Sequence, residues 1–237
     1  MLDVAIVLNG DIKNIIGFQS LLTQASYIIA VDGGLNHLIK LGIKPDIILG
    51  DQDSVSQTAM EKAEEWNIEV RKFPRNKDYT DSALALKTVL AQEIFVRDFS
   101  EKLTIAFLAA FGDRYDHLLS NQFLAEKHSD KVDFILSDGL NLQYILQGPK
   151  DLKLNWPPLD LENEGEFNFS LIAMSDQVGS ISLKHALYPL EKYNLKHGES
   201  IGISNLLDSS KKKFLTLKDV EVSFEKGCLS IMIVPSI

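Results

Sequence analysis

The chain has 237 residues, of which 45% are hydrophobic and 24% charged, and its formal net charge is −9 at pH 7. A chain of this length can form one large domain or two modest ones. The acidic balance argues against non-specific nucleic-acid binding, which needs a basic surface. The single cysteine, Cys228, excludes an intramolecular disulfide framework.

The first residues, MLDVAIVLNGD, contain a short apolar run with no basic segment before it. This pattern indicates a first strand rather than a signal peptide. No apolar run in the chain approaches the roughly 20 residues that a membrane-spanning helix needs. We therefore expect a cytoplasmic protein.

Strand and helix patterns alternate through the first half of the chain. Strands are predicted at 4–8, 27–31, 47–49, 68–73, 103–109 and 132–137. Helices are predicted at 12–22, at 35–41, from a cap at Ser56 to about Asn67, at 81–95 and from Tyr115 to about His128. Such alternation implies right-handed crossovers and a mainly parallel sheet.

The pattern changes near residue 150. Trp156-Pro157-Pro158 and the acidic stretch 160–166 are typical of a connection. Beyond them, short alternating runs at 167–174, 179–187, 200–206, 214–224 and 228–234 predict a small antiparallel β-sandwich. We expect an α/β domain at 1–147 and an all-β domain at 148–237.

Three loops rich in aspartate and glycine directly follow apolar strands of the first half. They are 32–34 (DGG), 50–54 (GDQDS) and 112–117 (GDRYDH), and a fourth polar cluster, 77–81 (KDYTD), precedes a helical stretch. Because strand ends that lead into helices open on one edge of an α/β sheet, these loops can meet in one crevice. Carboxylates and glycines gathered there suit a magnesium–polyphosphate substrate. The pattern favours a phosphoryl-transfer enzyme.

The acidic pairs also have structural interpretations. Asp51 and Asp53 can reach one cation, but either can instead form an Asx turn or cap the following helix. Asp78 and Asp81 lie at a helix entrance, where Thr80 or Asp81 can serve simply as the cap.

The glycine-rich and basic loops are open to the same two interpretations. Asp32-Gly33-Gly34 forms a tight turn, or it exposes N–H groups at a helix N-terminus to an anion. Arg114 and its acidic neighbours form a surface ion-pair cluster, or they face the crevice because they follow a buried strand. Arg114 offers the planar donor fork that suits phosphate.

Four segments together are far more specific than any one of them. VDGGLNHLIKLGIKPDIILGDQDSV, KDYTDSALAL, GDRYDHLLSN and GISN resemble the thiamine pyrophosphokinase family over nearly the whole chain. The resemblance implies a homodimer that moves a pyrophosphoryl group from ATP to the thiamine hydroxyl, with Mg²⁺, and releases AMP. It implies a catalytic role for 1–147, with nucleotide and Mg²⁺ sites, and thiamine binding and dimerisation for 148–237.

The resemblance also assigns roles to individual residues. It implies Asp51, Asp53 and Asp81 as magnesium ligands and, with Arg114, as catalytic residues. Around the nucleotide and phosphates it places Asp32, Gly33, Gly34, Asp78, Thr80, Asp116, His117 and Asn121. For thiamine it implies Tyr188, Ser204 and Asn205. The sequence departs from the family pattern at Gln52, Ala83, Asp113, His185 and Leu187.

Two other functions fit parts of the pattern. A pyrophosphokinase for another hydroxymethyl heterocycle, such as a pterin, would use the same loops but need neither the sandwich nor a dimer. A non-catalytic regulator that binds nucleotide or thiamine would be favoured by the loss of a metal-binding aspartate, and none is missing from the three expected positions.

Overall fold

The computed structural model describes residues 2–73, 79–91, 102–154, 167–208 and 219–235. These residues divide into two compact units. The first runs to Leu124 and includes Leu136–Gly139, and the second comprises Ala125–Ile135 and the described residues from Leu140 onward. The domain boundary between 147 and 148 stays a prediction.

Five parallel strands form the sheet of the first unit. The elements are β1 (Leu2–Val7), α1 (Ile15–Leu22), β2 (Ala25–Val31), α2 (Gly34–Lys40), β3 (Ile47–Gly50), α3 (Gln57–Glu65), β4 (Glu69–Lys72), α4 (Asp81–Leu90), β5 (Leu103–Leu108), α5 (Tyr115–Lys127) and β6 (Val132–Ser137). Both α5 and β6 have residues in each unit. The predicted mainly parallel α/β sheet is confirmed.

The order of these strands creates a natural binding crevice. Within the first unit the strands lie in the order β4-β3-β2-β1-β5, so β1 is flanked by β2 on one side and β5 on the other. Ile6 of β1 is fully buried and pairs with Ile29 of β2 and Phe107 of β5. Strands β2, β3 and β4 are added on one side of β1, and β5 is added on its other side. The position between β1 and β5 is therefore a topological switch point, where the loops that follow the strands diverge and leave space for a ligand.

Side-chain caps fix where several helices begin. Backbone N–H groups donate to the caps as follows: Gly17 to Asn14 at 2.9 Å, Ala59 to Ser56 at 3.2 Å and Ala83 to Thr80 at 3.3 Å. The predicted cap at Ser56 is confirmed, whereas α1 begins at Ile15 rather than at residue 12 because Asn14 caps it. Helix α4 ends before Ala91, and the rest of the helix predicted to residue 95 lies outside the described residues.

No helix in the described part of the chain combines the length and the apolar composition needed to cross a bilayer.

The second unit contains two antiparallel sheets that contact each other. Its strands are β7 (Leu142–Gln147), β8 (Lys150–Lys153), β9 (Phe167–Ala173), β10 (Gln177–Lys184), β11 (Leu190–Lys196), β12 (Glu221–Phe224) and β13 (Cys228–Pro235). One sheet includes β7-β13-β9, and the other has the order β11-β10-β12-β8. Strand β10 contacts β13, and β11 contacts β9. The predicted antiparallel architecture is confirmed, and Cys228 is buried in it.

The strand predicted at 200–206 is wrong, because residues 201–204 form turns. Gly202 packs so tightly on β9 that a Cβ atom would lie 2.5 Å from the carbonyl oxygen of Leu171, and Ser204 has φ of 55°. Only isolated bridges follow, one of them between Asn205 and Phe169.

Three strands, β7, β8 and β11, were not predicted. Strand β8 (KDLK) has only four residues, and β11 (LEKYNLK) carries many polar side chains because much of it is exposed. Neither therefore shows a clear alternation of apolar and polar residues. The predicted connection at 156–166 and the predicted strand residues 214–218 lie outside the described residues.

Candidate active site

A cavity of about 630 Å³ opens in the first unit where β1 and β5 end. Its wall comes from residues 8–11 after β1, 31–32 at the end of β2, 53–54 after β3, 80–82 at the start of α4 and 109–114 after β5, with His117 and Asn121 of α5. The volume is in the range of small-molecule and cofactor sites. The cavity therefore occupies the crevice that the switch point creates.

The structure brings most of the predicted nucleotide and metal residues to this cavity. Those on its wall are Asp32, Asp53, Thr80, Asp81, Arg114, His117 and Asn121. Gly33, Gly34, Asp51 and Asp116 are near in sequence but are not part of the wall. Asp78 lies outside the described residues.

Acidic side chains crowd together at one side of the cavity. Burial is the main cause that raises the pKa of Asp32 to about 6, and the carboxylates of Asp81 and Asp51 contribute. The N–H of Gln52 donates to Asp32 Oδ1 at 3.1 Å and partly offsets the shift. Gly50 makes this arrangement possible, because a Cβ atom there would lie 1.8 Å from Asp32 Oδ1.

Carboxylates this close repel one another, and a bound cation relieves that repulsion. The donor set therefore fits a hard divalent cation, which prefers oxygen ligands. Within the described ranges, however, no three His, Cys, Asp or Glu side chains are arranged to hold a metal ion by themselves. The ligand set of Asp51, Asp53 and Asp81 stays a prediction.

The loop between β3 and α3 has the Asx turn that the sequence left as an alternative. The N–H of Asp53 donates to Asp51 Oδ1 at 3.1 Å. The turn leaves Asp53 on the cavity wall and Asp51 close enough to affect the pKa of Asp32. The structural and functional interpretations of this loop are therefore compatible.

Asn36, on α2, fastens this same loop, and the sequence did not single it out. Its Nδ2 donates to the carbonyl oxygen of Ser54 at 2.9 Å, and its Oδ1 accepts from the N–H of Ser56 at 2.9 Å. Gly33 adds a third link, because its N–H donates to Ser54 Oγ at 3.1 Å. One amide side chain thus holds the acidic loop against the start of α2.

The glycines at the start of α2 allow close packing. A Cβ atom on Gly33 would lie 2.0 Å from Asn9 Oδ1, and one on Gly34 would lie 2.0 Å from the carbonyl oxygen of Val7. Both positions therefore need glycine for steric reasons. The N–H of Gly33 already has a partner in Ser54 Oγ.

Hydrogen bonds join the loop after β1 to its neighbours. Gly10 N–H donates to the carbonyl oxygen of Ala109 at 3.0 Å, and Asp11 N–H donates to that of Phe111 at 2.8 Å. His37 Nε2 lies 2.8 Å from the carbonyl oxygen of Gly10, so this nitrogen carries the proton and donates it. Burial lowers the pKa of His37. These contacts fix the loops on both sides of the switch point.

Arg114 lies at the rim of the cavity and pairs with Asp116. Its Nε and Nη2 donate to the two carboxylate oxygens at 2.9 and 2.7 Å. This hydrogen bonding raises the pKa of Arg114 and lowers that of Asp116. Because the side chain of Arg114 is 71% exposed, the pair contributes little to stability and can exchange for another anion.

Comparison with known families shows which family the chain belongs to. The family model of the thiamin pyrophosphokinase catalytic domain matches residues 18–136, and that of the thiamin pyrophosphokinase vitamin B1 binding domain matches residues 159–229. The chain belongs to the thiamin pyrophosphokinase family. The catalytic-domain match contains most of the cavity wall, including Asp32, Asp53 and Asp81.

Individual relatives agree with this membership. The chain is 28% identical over 203 residues to a thiamine pyrophosphokinase of Bacillus subtilis, covering 85% of this chain and 84% of the relative. It is 26% identical over 156 residues to thiamine pyrophosphokinase 2 of Arabidopsis thaliana, covering 59% and 57%.

Solved structures of the family share the fold. The crystal structure of the Bacillus subtilis thiamine pyrophosphokinase matches with a TM-score of 0.76 and 24% identity, covering 99% of this chain and 100% of that chain. The thiamin pyrophosphokinase of Candida albicans matches with a TM-score of 0.72 and 16% identity, covering 98% and 89%.

The predicted thiamine residues lie in the second unit, inside the vitamin B1 binding match. The side chain of Asn205 is 2% exposed and serves the backbone. Its Nδ2 donates to the carbonyl oxygen of Tyr188 at 2.7 Å, and its Oδ1 accepts from the N–H groups of Tyr188 and Leu206, each at 3.0 Å. Asn205 therefore fixes the backbone at Tyr188, whose ring is exposed, while Ser204 is itself exposed.

We expect Asn36→Ala to loosen the acidic loop. The substitution leaves the N–H of Ser56 and the carbonyl of Ser54 without the Asn36 amide. Hydrogen exchange of the Ser56 amide should accelerate roughly tenfold, equivalent to about 1.4 kcal/mol. Asn194→Ala is the matched control, since it removes the hydrogen bond from the N–H of Ser180 in the second unit. Equal exchange of the Ser56 amide in wild type and Asn36→Ala would contradict the assignment.

The buried His37 predicts a contribution to stability that depends on pH. Its folded-state pKa is lowered, so the unfolded chain takes up the proton more readily. The stability that neutral His37 contributes is fully present above the pKa that His37 has in the unfolded chain. It is lost as pH falls through that value towards the lower pKa of the folded protein. His37→Gln keeps a donor for Gly10 but does not titrate, so it should lose less stability than wild type between pH 7.5 and pH 5.5. Urea unfolding at both pH values measures this, and identical losses would refute it.

Proposed function

We propose that this chain transfers a pyrophosphoryl group from ATP to the hydroxyl of thiamine, giving thiamine diphosphate and AMP. One observation carries the proposal: seven residues expected from the family at the nucleotide and metal site line a single cavity at the switch point of the sheet. That cavity lies largely within the part of the chain that matches the catalytic domain.

The charge of the cavity supports a metal-bound nucleotide as the donor. The described wall contains five aspartates and one arginine, so free ATP would meet net repulsion. We propose Mg²⁺ at this site, with Asp51, Asp53 and Asp81 as ligands. Mg²⁺ commonly binds through one or two carboxylates, several waters and the substrate phosphates, so a site that protein ligands alone do not complete is compatible with it. When bound, it would neutralise charge on the phosphate oxygens.

The chain's own residues then position the nucleotide for attack at the β-phosphorus. Arg114 sits at the rim with two N–H groups that can turn from Asp116 to a phosphate oxygen and offset developing charge. The loops that carry Asp32 and Asp53 are held by neutral hydrogen-bond partners such as Asn36, which supports a fixed geometry for the reacting groups. The thiamine hydroxyl attacks in line with the bond to AMP, the leaving group.

We further propose that thiamine binds between two copies of the chain in a homodimer. Tyr188 is 62% exposed, and its ring can stack on the flat thiamine cation. Leu187, next to it in sequence, is also exposed, as are Ile201 and Ile203. An apolar surface of this kind is most often covered by two-fold pairing. Ser204 would supply the polar contact to the aminopyrimidine, because the amide of Asn205 is already bonded to backbone.

We place the enzyme in the cytoplasm, which agrees with its single buried cysteine.

The purified protein should convert thiamine and ATP to thiamine diphosphate and AMP in the presence of Mg²⁺. With ATP labelled at the γ-phosphate, the label should appear in thiamine diphosphate. Asp53→Asn should lower turnover by at least about 100-fold, because it removes a charge from the proposed metal site. Asp151→Asn, an isosteric change on an exposed strand of the second unit, is the control and should retain full activity.

Other products would identify other functions. ADP with thiamine monophosphate would mean ordinary kinase chemistry. Diphosphorylation of a hydroxymethylpterin, with thiamine left unchanged, would favour the other pyrophosphokinase. Binding of nucleotide or thiamine without turnover would favour a regulator.

The shared thiamine site predicts complementation between two variants that are each impaired at low thiamine concentration. Tyr188→Ala should raise the thiamine KM roughly 10- to 100-fold through the loss of about 1–3 kcal/mol of stacking and burial. If each site combines the cavity of one chain with Tyr188 of its partner, a heterodimer of Asp53→Asn and Tyr188→Ala chains has one unchanged site. Random mixing should therefore restore about a quarter of wild-type activity at low thiamine concentration.

Subunit exchange must be verified for this experiment, for example by energy transfer between labelled chains. A mixture that exchanges subunits but shows no more activity than the average of the two variants would place the whole site within one chain. A chain that remains monomeric at assay concentrations would contradict the proposed homodimer directly.

A further inference from the structure

Two buried polar side chains connect the start of α4 with α5 across the cavity wall. Ser82 is 7% exposed and Asn121 is 5% exposed. Ser82 Oγ donates to Asn121 Oδ1 at 2.8 Å, and both residues line the cavity. A buried hydroxyl beside a binding site has to be bonded, and this bond also determines how Asn121 is oriented.

The direction of the hydrogen bonds follows from the cap of α4. The N–H of Ala83 can only donate, so Thr80 Oγ1 accepts from it at 3.3 Å. The hydroxyl hydrogen of Thr80 is then available to Ser82 Oγ, which lies 3.0 Å away. Ser82 in turn directs its own hydrogen to Asn121 Oδ1. The chain of donors runs in one direction, from the helix N-terminus to the amide.

This chain fixes which end of the amide is available to a ligand. With Oδ1 bonded to Ser82, the Nδ2 group of Asn121 is left with two N–H donors, and no acceptor for them is found among the described residues. We propose that Ser82 is a positioning residue that holds Asn121 with its NH₂ group toward a phosphate oxygen of the bound nucleotide. This inference rests on the proposed function, because it takes ATP as the ligand.

A neutral donor is well suited to this position. Ser82 directly follows Asp81, so the nearby wall is acidic, and a phosphate oxygen there gains from any N–H that faces it. If the amide of Asn121 turned over, its carbonyl oxygen would meet the phosphate oxygen instead. Acceptor would then face acceptor, so the orientation that Ser82 imposes affects affinity as well as stability.

The test compares binding of α,β-methylene-ATP and of adenosine, with Mg²⁺ present, by calorimetry. The methylene group blocks cleavage of the bond that the proposed reaction breaks. Ser82→Ala should weaken binding of α,β-methylene-ATP about tenfold and leave that of adenosine unchanged. Ser82→Thr retains the hydroxyl and should bind the analogue within about twofold of wild type. Equal weakening for adenosine would place the contact on the nucleoside and overturn the proposal.

A double-mutant cycle separates positioning from a general structural effect. If Ser82 acts only through Asn121, Ser82→Ala should cause no further loss in an Asn121→Ala background. Additive losses would overturn the proposal even if Ser82→Thr folds poorly. Turnover of thiamine by the wild-type enzyme is measured first. Its absence would refute the proposed function, whereas normal turnover with an unchanged affinity in Ser82→Ala would refute this inference alone.

Discussion

Repulsion between carboxylates at the ends of β2 and β3 is the constraint on which the site depends. Burial of Asp32 near Asp81 and Asp51 raises its pKa to about 6, so near neutral pH its ionisation is disfavoured compared with an exposed aspartate. A cluster of this kind stays together only if other interactions hold its loops in place, because the charges themselves push apart. The proposed Mg²⁺ site requires these carboxylates to lie close together, and the rest of the first unit has to stabilise that arrangement.

Neutral hydrogen bonds and steric fit provide that support. Asn36 uses both ends of its amide on the backbone of the acidic loop, and Gln52 N–H bonds to Asp32 itself. On the other side of the switch point, His37 and the backbone of Ala109 hold Gly10. None of these partners carries a full charge, so they stabilise the loops without neutralising the carboxylates of the proposed Mg²⁺ site.

The sequence predicted the fold and the convergence of the acidic loops on one cavity, because both follow from local patterns. Alternating strands and helices define the parallel sheet, and residues that directly follow parallel strands must meet at one edge. The sequence did not single out Asn9, Asn36 or Ser82. Their roles depend on partners distant in sequence, such as Asn121, 39 residues after Ser82. Uncharged polar residues resemble ordinary loop and cap residues until the tertiary contacts are known.

The second unit was harder to predict for a related reason. Its sheets expose one face, so strands such as β8 and β11 carry polar side chains and show little contrast with the loops. The segment 200–206 shows the opposite error, since its alternation resembled a strand although Gly202 and Ser204 adopt turn geometry. The thiamine contact of Asn205 stays a prediction, and the sequence did not indicate that its amide bonds to the backbone around Tyr188.

Three of the four non-glycine residues with positive φ in the described part of the first unit lie in the same strand-end loops. Asp32, Gln52 and Ala109 have φ of 45°, 66° and 51°, a region that costs non-glycine residues about 1–3 kcal/mol each. Gln52 adds a second cost, because its Nε2 is buried with no hydrogen-bond partner in the described part of the chain. An apolar side chain at this position would avoid that cost. Conformations of this kind persist only where the surrounding packing determines them, as the glycine contacts and the Asn36 amide do here. Most of the strain therefore lies in the loops at the cavity, while the caps and the buried strands supply the stability that offsets it.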